Sequence, residues 1–315
     1  LTNRLDPTMS LMQGINAKVR KNPKRVIFAE GEDENMLKAA IEFGRNKLGT
    51  PILIGAEKRI KEQLKNIGFD ENYKIEVVNS TDKEKRERYV KHLYKKLQRE
   101  GQLERDVDRL VRNDRIAWGA SMIACKDADA MVTGNIRHYA ASIEKLKKVT
   151  EPRPGEEIFG MTMITLKGKT ILVADTNVQD FPSPKRLVKV SKSCVRVARL
   201  FGFDPKVAFL SHSTFGKPIS KNTKHVRDAI ELLKNEKVNF DFDGEMQPDV
   251  ALNPIYQEIY PFSKIVGNAN ILIMPALHSA AISTKLMKVF GGGKLIGPLL
   301  IGLGSPIEVA PLRAS

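Results

Sequence analysis

The stretch KRVIFAEGEDENMLKAA (residues 24–40) changes period in its middle. From Arg25 to Ala29 it reads as a strand that breaks at Gly31. The acidic run Glu32-Asp33-Glu34 follows, and then Met36, Leu37, Ala40, Ile41 and Leu48 fall on one helical face. Strand, glycine loop, helix is the repeating unit of a parallel α/β sheet.

The unit recurs on either side of a single interruption. TPILIG is a second strand, followed by a helix with Ile60, Leu64 and Ile67 in phase and Gly68 as its stop. KIEVV is a third strand. From Asp82 to about Cys125 the pattern is helical, broken at Gly101; ADAMVTG is then a strand and HYAASIEKLKKV a helix. EPRPGEE (residues 151–157) is turn-rich and reads as a domain boundary. Beyond it FGMTMITL and TILVADT form a hairpin around Lys167-Gly168-Lys169. Ser183 caps a helix with Pro184 at its first position and Leu187, Val190, Cys194, Val197 and Phe201 as its buried stripe. KVAFLS, VNFDFDG, NILIMP and LIGPLLIG read as further strands, with helices at 226–233 and SAAISTKLMKVF. The last strand runs through Gly302 and Gly304 into SPIEVAPLRAS, which reads as a loop.

Composition is that of a globular protein, with 42% hydrophobic and 28% charged residues in 315. No apolar run is long enough to span a bilayer and no signal-peptide pattern opens the chain, so no membrane is expected as a partner. Two cysteines, Cys125 and Cys194, lie in apolar periodic stretches and read as buried thiols of a cytoplasmic protein. The net charge of +15 would suit a polyanion. However, the lysines are interleaved with acidic residues and aromatics are only 6%, so nucleic acid is not the expected partner. The chain starts at Leu1 and stops in a loop, and both ends read as cuts in a longer polypeptide.

Ligands collect at the carboxyl ends of parallel strands, and four such ends stand out. In AEGEDE the carboxylates suit the positive end of a helix dipole better than a metal. In LSHSTFG, His212 sits between Ser211 and Ser213. Strand alternation would point it away from both, which favours a hydroxyl-lined ligand loop closed by Gly216 over a nucleophile. In DFDGEMQPD the spacing of Asp241, Asp243, Glu245 and Asp249 does not fit an EF-hand loop, and bonds to loop amides are expected. The glycines of the closing loop match neither a Walker nor a Rossmann fingerprint. The residues by themselves thus indicate a two-domain α/β protein with a polar site for an anionic small molecule.

Seven stretches in order, VIFAEGEDENMLKAA, DADAMVTG, ILVADTNVQDFPSPKRL, PKVAFLSHSTFG, FDGEMQPDVAL, GNANILIMP and IGPLLIG, resemble the phosphate acetyltransferase/butyryltransferase family. LDPTMSLM, NPKRVIFAEGEDE and SPIEVAPLRAS resemble the branch in which such a domain follows the catalytic region of a bacterial NADP-dependent malic enzyme. The resemblance implies a two-lobed, three-layer α/β fold of the isocitrate/isopropylmalate dehydrogenase-like type. The first lobe would hold residues 1–147 and 295–315, and the second, dimerising lobe residues 148–294. It implies acetyl-CoA or CoA as the ligand of this domain, with NADP and a divalent metal confined to the catalytic region of the same polypeptide.

The departures from that family decide the expected function. Where the family carries a serine and an arginine near the reacting groups, this chain has Pro311 and Leu312, with Arg313 one place displaced. Where it carries a second arginine, this chain has Glu144. An arginine clamps a phosphate dianion bidentately; proline and leucine cannot, and a glutamate repels it. The family's catalytic aspartate would fall just past Ser315. The expectation is a degenerate domain that keeps ligand binding and acts as a regulatory site for acetyl-CoA. The alternatives are an active acyltransferase using Arg313, Arg137 or Lys145, and a structural oligomerisation domain. The expected ligand contacts are Ser211, Ser213, Gly216, Asn268, Gly302, Gly304 and Arg313, with Arg137 and Tyr139 in support; His138 and His278 read as surface or loop residues. No metal site is expected.

Overall fold

The computed structural model describes residues 7–68, 74–166, 168–312 and 314. The chain divides into two compact units, Gln13–Glu151 with Leu303–Ser315, and Pro152–Gly302 with the opening of the first helix. The fold is mixed α/β with parallel sheets.

The five-stranded unit begins, from Gln13 onward, with the rest of α1 (Pro7–Lys21), then β1 (Lys24–Phe28), α2 (Glu34–Arg45), β2 (Gly49–Ile54), α3 (Glu57–Asn66) and β3 (Glu76–Val78). It continues with α4 (Lys83–Leu97), α5 (Glu104–Asn113), α6 (Arg115–Ala124), β4 (Ala130–Gly134) and α7 (Tyr139–Val149). The long helical stretch breaks at Gly101, as its sequence indicates, and again at Asp114, whose carboxylate caps α6 by accepting from the amides of Ile116 (2.9 Å) and Ala117 (3.2 Å). Asp33 likewise caps α2, accepting from Met36 N at 3.0 Å. The acidic run thus opens a helix. Met36, Leu37, Ala40 and Ile41 of α2 then pack on Phe28 and Leu53.

The six-stranded unit contains β5 (Phe159–Leu166), β6 (Lys169–Ala174), α8 (Pro184–Leu200), β7 (Lys206–Leu210), α9 (Lys224–Lys234) and β8 (Asp241–Met246). It closes with α10 (Pro248–Leu252), α11 (Pro254–Gln257), β9 (Ile271–Ile273), α12 (Leu277–Gly291) and β10 (Lys294–Ile301). Its strand order is β10-β5-β6-β9-β7-β8, antiparallel at β10, β5 and β6 and parallel beyond. Side chains alternate across this sheet. Leu172, Phe209 and Ile273 join one core with α8 and α9, while Val173, Leu210 and Leu272 join another with α10 and α12. A sheet buried on both faces explains why these strands read as continuous apolar runs.

Two features of the end of the chain differ from the sequence reading. The strand at 294–301 pairs antiparallel with β5 in the six-stranded sheet, and the chain rejoins the five-stranded unit only at Leu303 rather than at 295. The reason is packing: Ile296, Leu299 and Ile301 lie against the α8–α9 core. The segment expected to be a loop contains β11 (Ile307–Ala310), parallel to β4, with Ile307 and Val309 buried. The five-stranded sheet is therefore ordered β11-β4-β1-β2-β3, all parallel.

At the carboxyl end of this sheet Glu30 is 2% exposed, and its carboxylate joins β1 to β4. It accepts from Thr133 Oγ1 at 2.9 Å and Gly134 N at 3.1 Å. Burial pushes its carboxyl up to about 7, and those bonds and the charges of Arg137 and Arg115 only partly oppose the shift. Gly134 has φ +111°, and a Cβ there would lie 2.3 Å from Ala310 O of β11.

Gly134→Ala is expected to lower stability by about 1–3 kcal/mol in urea unfolding, because it adds backbone strain and pries β11 from β4. Glu30 has a raised carboxyl, so the folded chain holds a proton that the unfolded chain releases. Its contribution is intact below the ordinary glutamate range and is lost as pH rises through about 7. Glu30→Gln should flatten the fall in melting temperature between pH 5 and pH 8, a difference on the order of 3 kcal/mol.

Candidate ligand site

In the six-stranded unit a cavity of about 760 Å³ opens where β7 and β9 end. Ser211 and His212 line it from β7, Met274, Pro275 and Ala276 from β9, His225 from α9, and His278, Ser279 and Ser283 from α12. Phe181 completes the wall, its ring centroid 5.3 Å from that of His225 and 6.4 Å from that of His278. Of the chain's 5 histidines, His212, His225 and His278 line this one cavity.

A buried carboxylate holds the loop after β7. Glu245, 1% exposed, accepts at Oε1 from Ser213 Oγ (2.7 Å), Arg227 Nη1 (3.1 Å) and Gly216 N (3.3 Å). Its backbone oxygen accepts from Phe215 N at 2.8 Å. Ser213 and Gly216, both expected as ligand contacts, therefore anchor the loop. The Ser213 proton is committed to Glu245, so Ser211 is the donor in the 3.3 Å contact between the two hydroxyls. Ser211 and His212 both line the cavity because β7 ends at Leu210, past which strand alternation no longer applies. Among the described residues no hydrogen bond joins the His212 ring to either serine. Of the other carboxylates in the DFDGEMQPD segment, Asp243 accepts from the loop amide of Lys264 (2.8 Å) and from Gly244 N (2.9 Å), and Asp249 accepts from Val250 N of α10 (3.0 Å). Among the described residues no group of His, Cys, Asp or Glu is arranged to hold a metal ion.

The other expected contacts in this unit lie elsewhere. Asn268 precedes β9, at the amino end of that strand, where its amide donates to Leu252 O (2.6 Å) and accepts from Lys169 Nζ (3.0 Å). Gly302 has φ +89°, and a Cβ on it would lie 2.0 Å from Glu157 O, so the glycine permits a close backbone passage after β10.

In the five-stranded unit the cations gather on one acid. Asp114, 7% exposed, pairs with Lys145 and, at 3.6 Å, with Arg137. Burial works to raise its pKa, but the Lys145 ammonium and the amides of Ala117 and Ile116 outweigh it and hold the carboxyl below the usual range. Tyr139 opens α7 half-buried, and Glu144 is exposed on the same helix. Gly304 N donates to Glu151 O at 2.7 Å. Pro311 and Leu312 are exposed just past β11, and Arg313 lies outside the described residues. Sequence reasoning missed Phe181, His225, Asp114 and the role of His278. Phe181 stands in a segment that follows a strand and His278 at the start of α12 just past β9, a usable signal; His225 and Asp114 lie on or beside helices, where no local pattern marks them.

Comparison with known proteins agrees with this architecture. A family model described as phosphate acetyl/butaryl transferase matches residues 10–313. The chain is 42% identical over 315 residues to the NADP-dependent malic enzyme of Rhizobium meliloti, covering 100% of this chain and 41% of that protein. It is 37% identical over 327 residues to a probable NADP-dependent malic enzyme of Rickettsia prowazekii, covering 100% of this chain and 43% of that protein. It thus spans about two fifths of the length of these curated relatives. A phosphotransacetylase structure from Streptococcus pyogenes superposes with a TM-score of 0.88 at 27% identity, covering 98% of this chain and 93% of that one. Motif order, sheet topology and the match across nearly the whole length agree: the chain belongs to the phosphate acetyl/butaryl transferase family.

Proposed function

We propose that this chain is the regulatory, phosphotransacetylase-like part of a bacterial NADP-dependent malic enzyme, binding acetyl-CoA as an allosteric effector without acyl transfer. The observation that carries the reading is the replacement of the charged groups such a transfer needs. Pro311 and Leu312 stand exposed past β11, and Glu144 stands exposed on α7. Holding phosphate and thioester in line and stabilising the developing charge needs preorganised cations. The cations nearby in the same unit, Arg137 and Lys145, are already paired with Asp114.

The match of the whole chain to about two fifths of a malic enzyme supports placing the chain beside a region that oxidatively decarboxylates malate to pyruvate with NADP and a divalent metal. The hydroxyl, imidazole and apolar lining of the cavity suits the acyl-thioester arm of acetyl-CoA. Inhibition of that region follows if acetyl-CoA prefers one of two arrangements of the polypeptide. The two α/β units are in keeping with the isocitrate/isopropylmalate dehydrogenase-like type, and the protein is cytoplasmic on this reading. Self-association through the six-stranded unit belongs to the same proposal, because Ile282, Leu286, Val289 and Phe290 form an exposed apolar stripe on α12.

Incubating the protein with acetyl phosphate and coenzyme A should yield no acetyl-CoA above the blank; rapid formation would instead establish the active acyltransferase. Calorimetry should register acetyl-CoA binding, and neither heat nor a thermal shift up to millimolar ligand would remove the effector role. Leu286→Asp with Phe290→Asp should lower the sedimenting mass; an unchanged mass would rule α12 out as the interface.

A further inference from the structure

Helix α8 carries six cations and no acid in its 17 residues. Arg186 turns inward, to Glu157 and Ile158 O. The other five, Lys185, Lys189, Lys192, Arg196 and Arg199, are exposed. They recur every three or four residues, which sets them in one stripe along the helix. At a rise of 1.5 Å per residue the stripe is about 21 Å long. Like charges at that spacing repel one another, and Lys185 in the first turn also opposes the helix dipole. The pattern is therefore a local cost to the helix.

The stripe borders a groove of about 580 Å³ between α8 and α9, which continues past Lys192 and Arg196 toward Lys237 and Phe240. Six cations line the groove and its continuation, the stripe together with Lys237, against two acids, Glu156 and Glu236. Lys189, Lys192 and Arg196 pair with Glu157, Glu236 and Glu156, yet these cations remain 46%, 42% and 41% exposed. Pairs so open to water are weak and leave each cation with donors to share. Lys185 and Lys237 are exposed, and among the described residues their side chains make no ion pair or hydrogen bond. Between the cations the groove is apolar: Val188 and Val195 form its buried floor, and Leu232 and Leu200 stand 37% and 63% exposed.

We propose that this groove docks an amphipathic acidic helix of a partner protein, with its apolar residues on Leu232 and Leu200 and its carboxylates on the α8 stripe. A helix suits the groove because its own carboxylates, three and four residues apart, repeat at the spacing of the cations. A polynucleotide suits it less well. Glu156 and Glu236 would repel a continuous run of phosphates, and no exposed aromatic in the lining offers a base a stacking surface. The groove shares no residue with the cavity at the ends of β7 and β9, so the proposal does not depend on the effector reading.

The probe is a synthetic helix of about 18 residues with Glu at i, i+4, i+7 and i+11 beside a leucine stripe. Titrated calorimetrically into the full chain at low salt, it should bind one to one, and about tenfold more weakly at physiological ionic strength. The same peptide with Lys in place of Glu should not bind. Lys185→Glu with Lys237→Glu should weaken binding about tenfold or more and melt like the parent, since neither change breaks a contact. Lys91→Glu with Lys95→Glu, an equal change of charge on the exposed side of α4, should leave binding as it was. Absent binding at low salt, binding that ignores salt, or an equal loss in both variants would each overturn the proposal. Polyuridylate displacing the peptide from the parent but not binding the Lys185→Glu, Lys237→Glu variant would also overturn it, in favour of a nucleic acid.

Discussion

The candidate site depends on a carboxylate that never reaches solvent. Burying Glu245 carries a desolvation penalty of several kcal/mol, recovered only if its partners are all in place. Those partners are the Ser213 hydroxyl, the Gly216 amide and the Arg227 guanidinium, drawn from the loop after β7 and from α9. The carboxylate thereby dictates where the loop can lie. With the loop in that position Ser211 and His212 border the cavity, while Glu245 is not among its lining residues. The site is shaped by an interaction that takes no part in its lining.

Each unit solves a different packing problem with the same elements. The five-stranded sheet is wholly parallel and gains its edge strand, β11, from the far end of the chain. The six-stranded sheet accommodates an antiparallel edge through the β5–β6 hairpin and β10. A strand can be assigned to a sheet only when its partner is known. LIGPLLIG and PIEVA follow one another closely in sequence, yet they complete different sheets.

The electrostatics of the five-stranded unit bear on function more than its net charge does. The chain carries +15, but Arg137 and Lys145 converge on Asp114 and Arg115 lies 3.0 Å from Glu32. An anion approaching these cations must compete with carboxylates already in contact. On the reading proposed above, that competition, together with Pro311, Leu312 and Glu144, favours ligand binding over catalysis.

Much was legible in the residues themselves. The period change across 24–40, the Ser183-Pro184 helix start and the break at EPRPGEE are local signals, and the structure carries an element or a boundary at each. Gly216 and Ser213 were recognisable as special, but not as anchors rather than contacts, because their partner Glu245 lies about thirty residues away. Asn268 looked like a strand-end residue, and only the sheet reveals which end it occupies. By itself the sequence determined helix and strand periodicity, capping and family membership, since these depend on neighbours within a turn or on residue order. Tertiary structure alone decided which sheet received β10 and β11, which acid neutralised which cation, and that three histidines from separate elements share one cavity. Those outcomes depend on which distant groups burial forces together, and no local pattern records that.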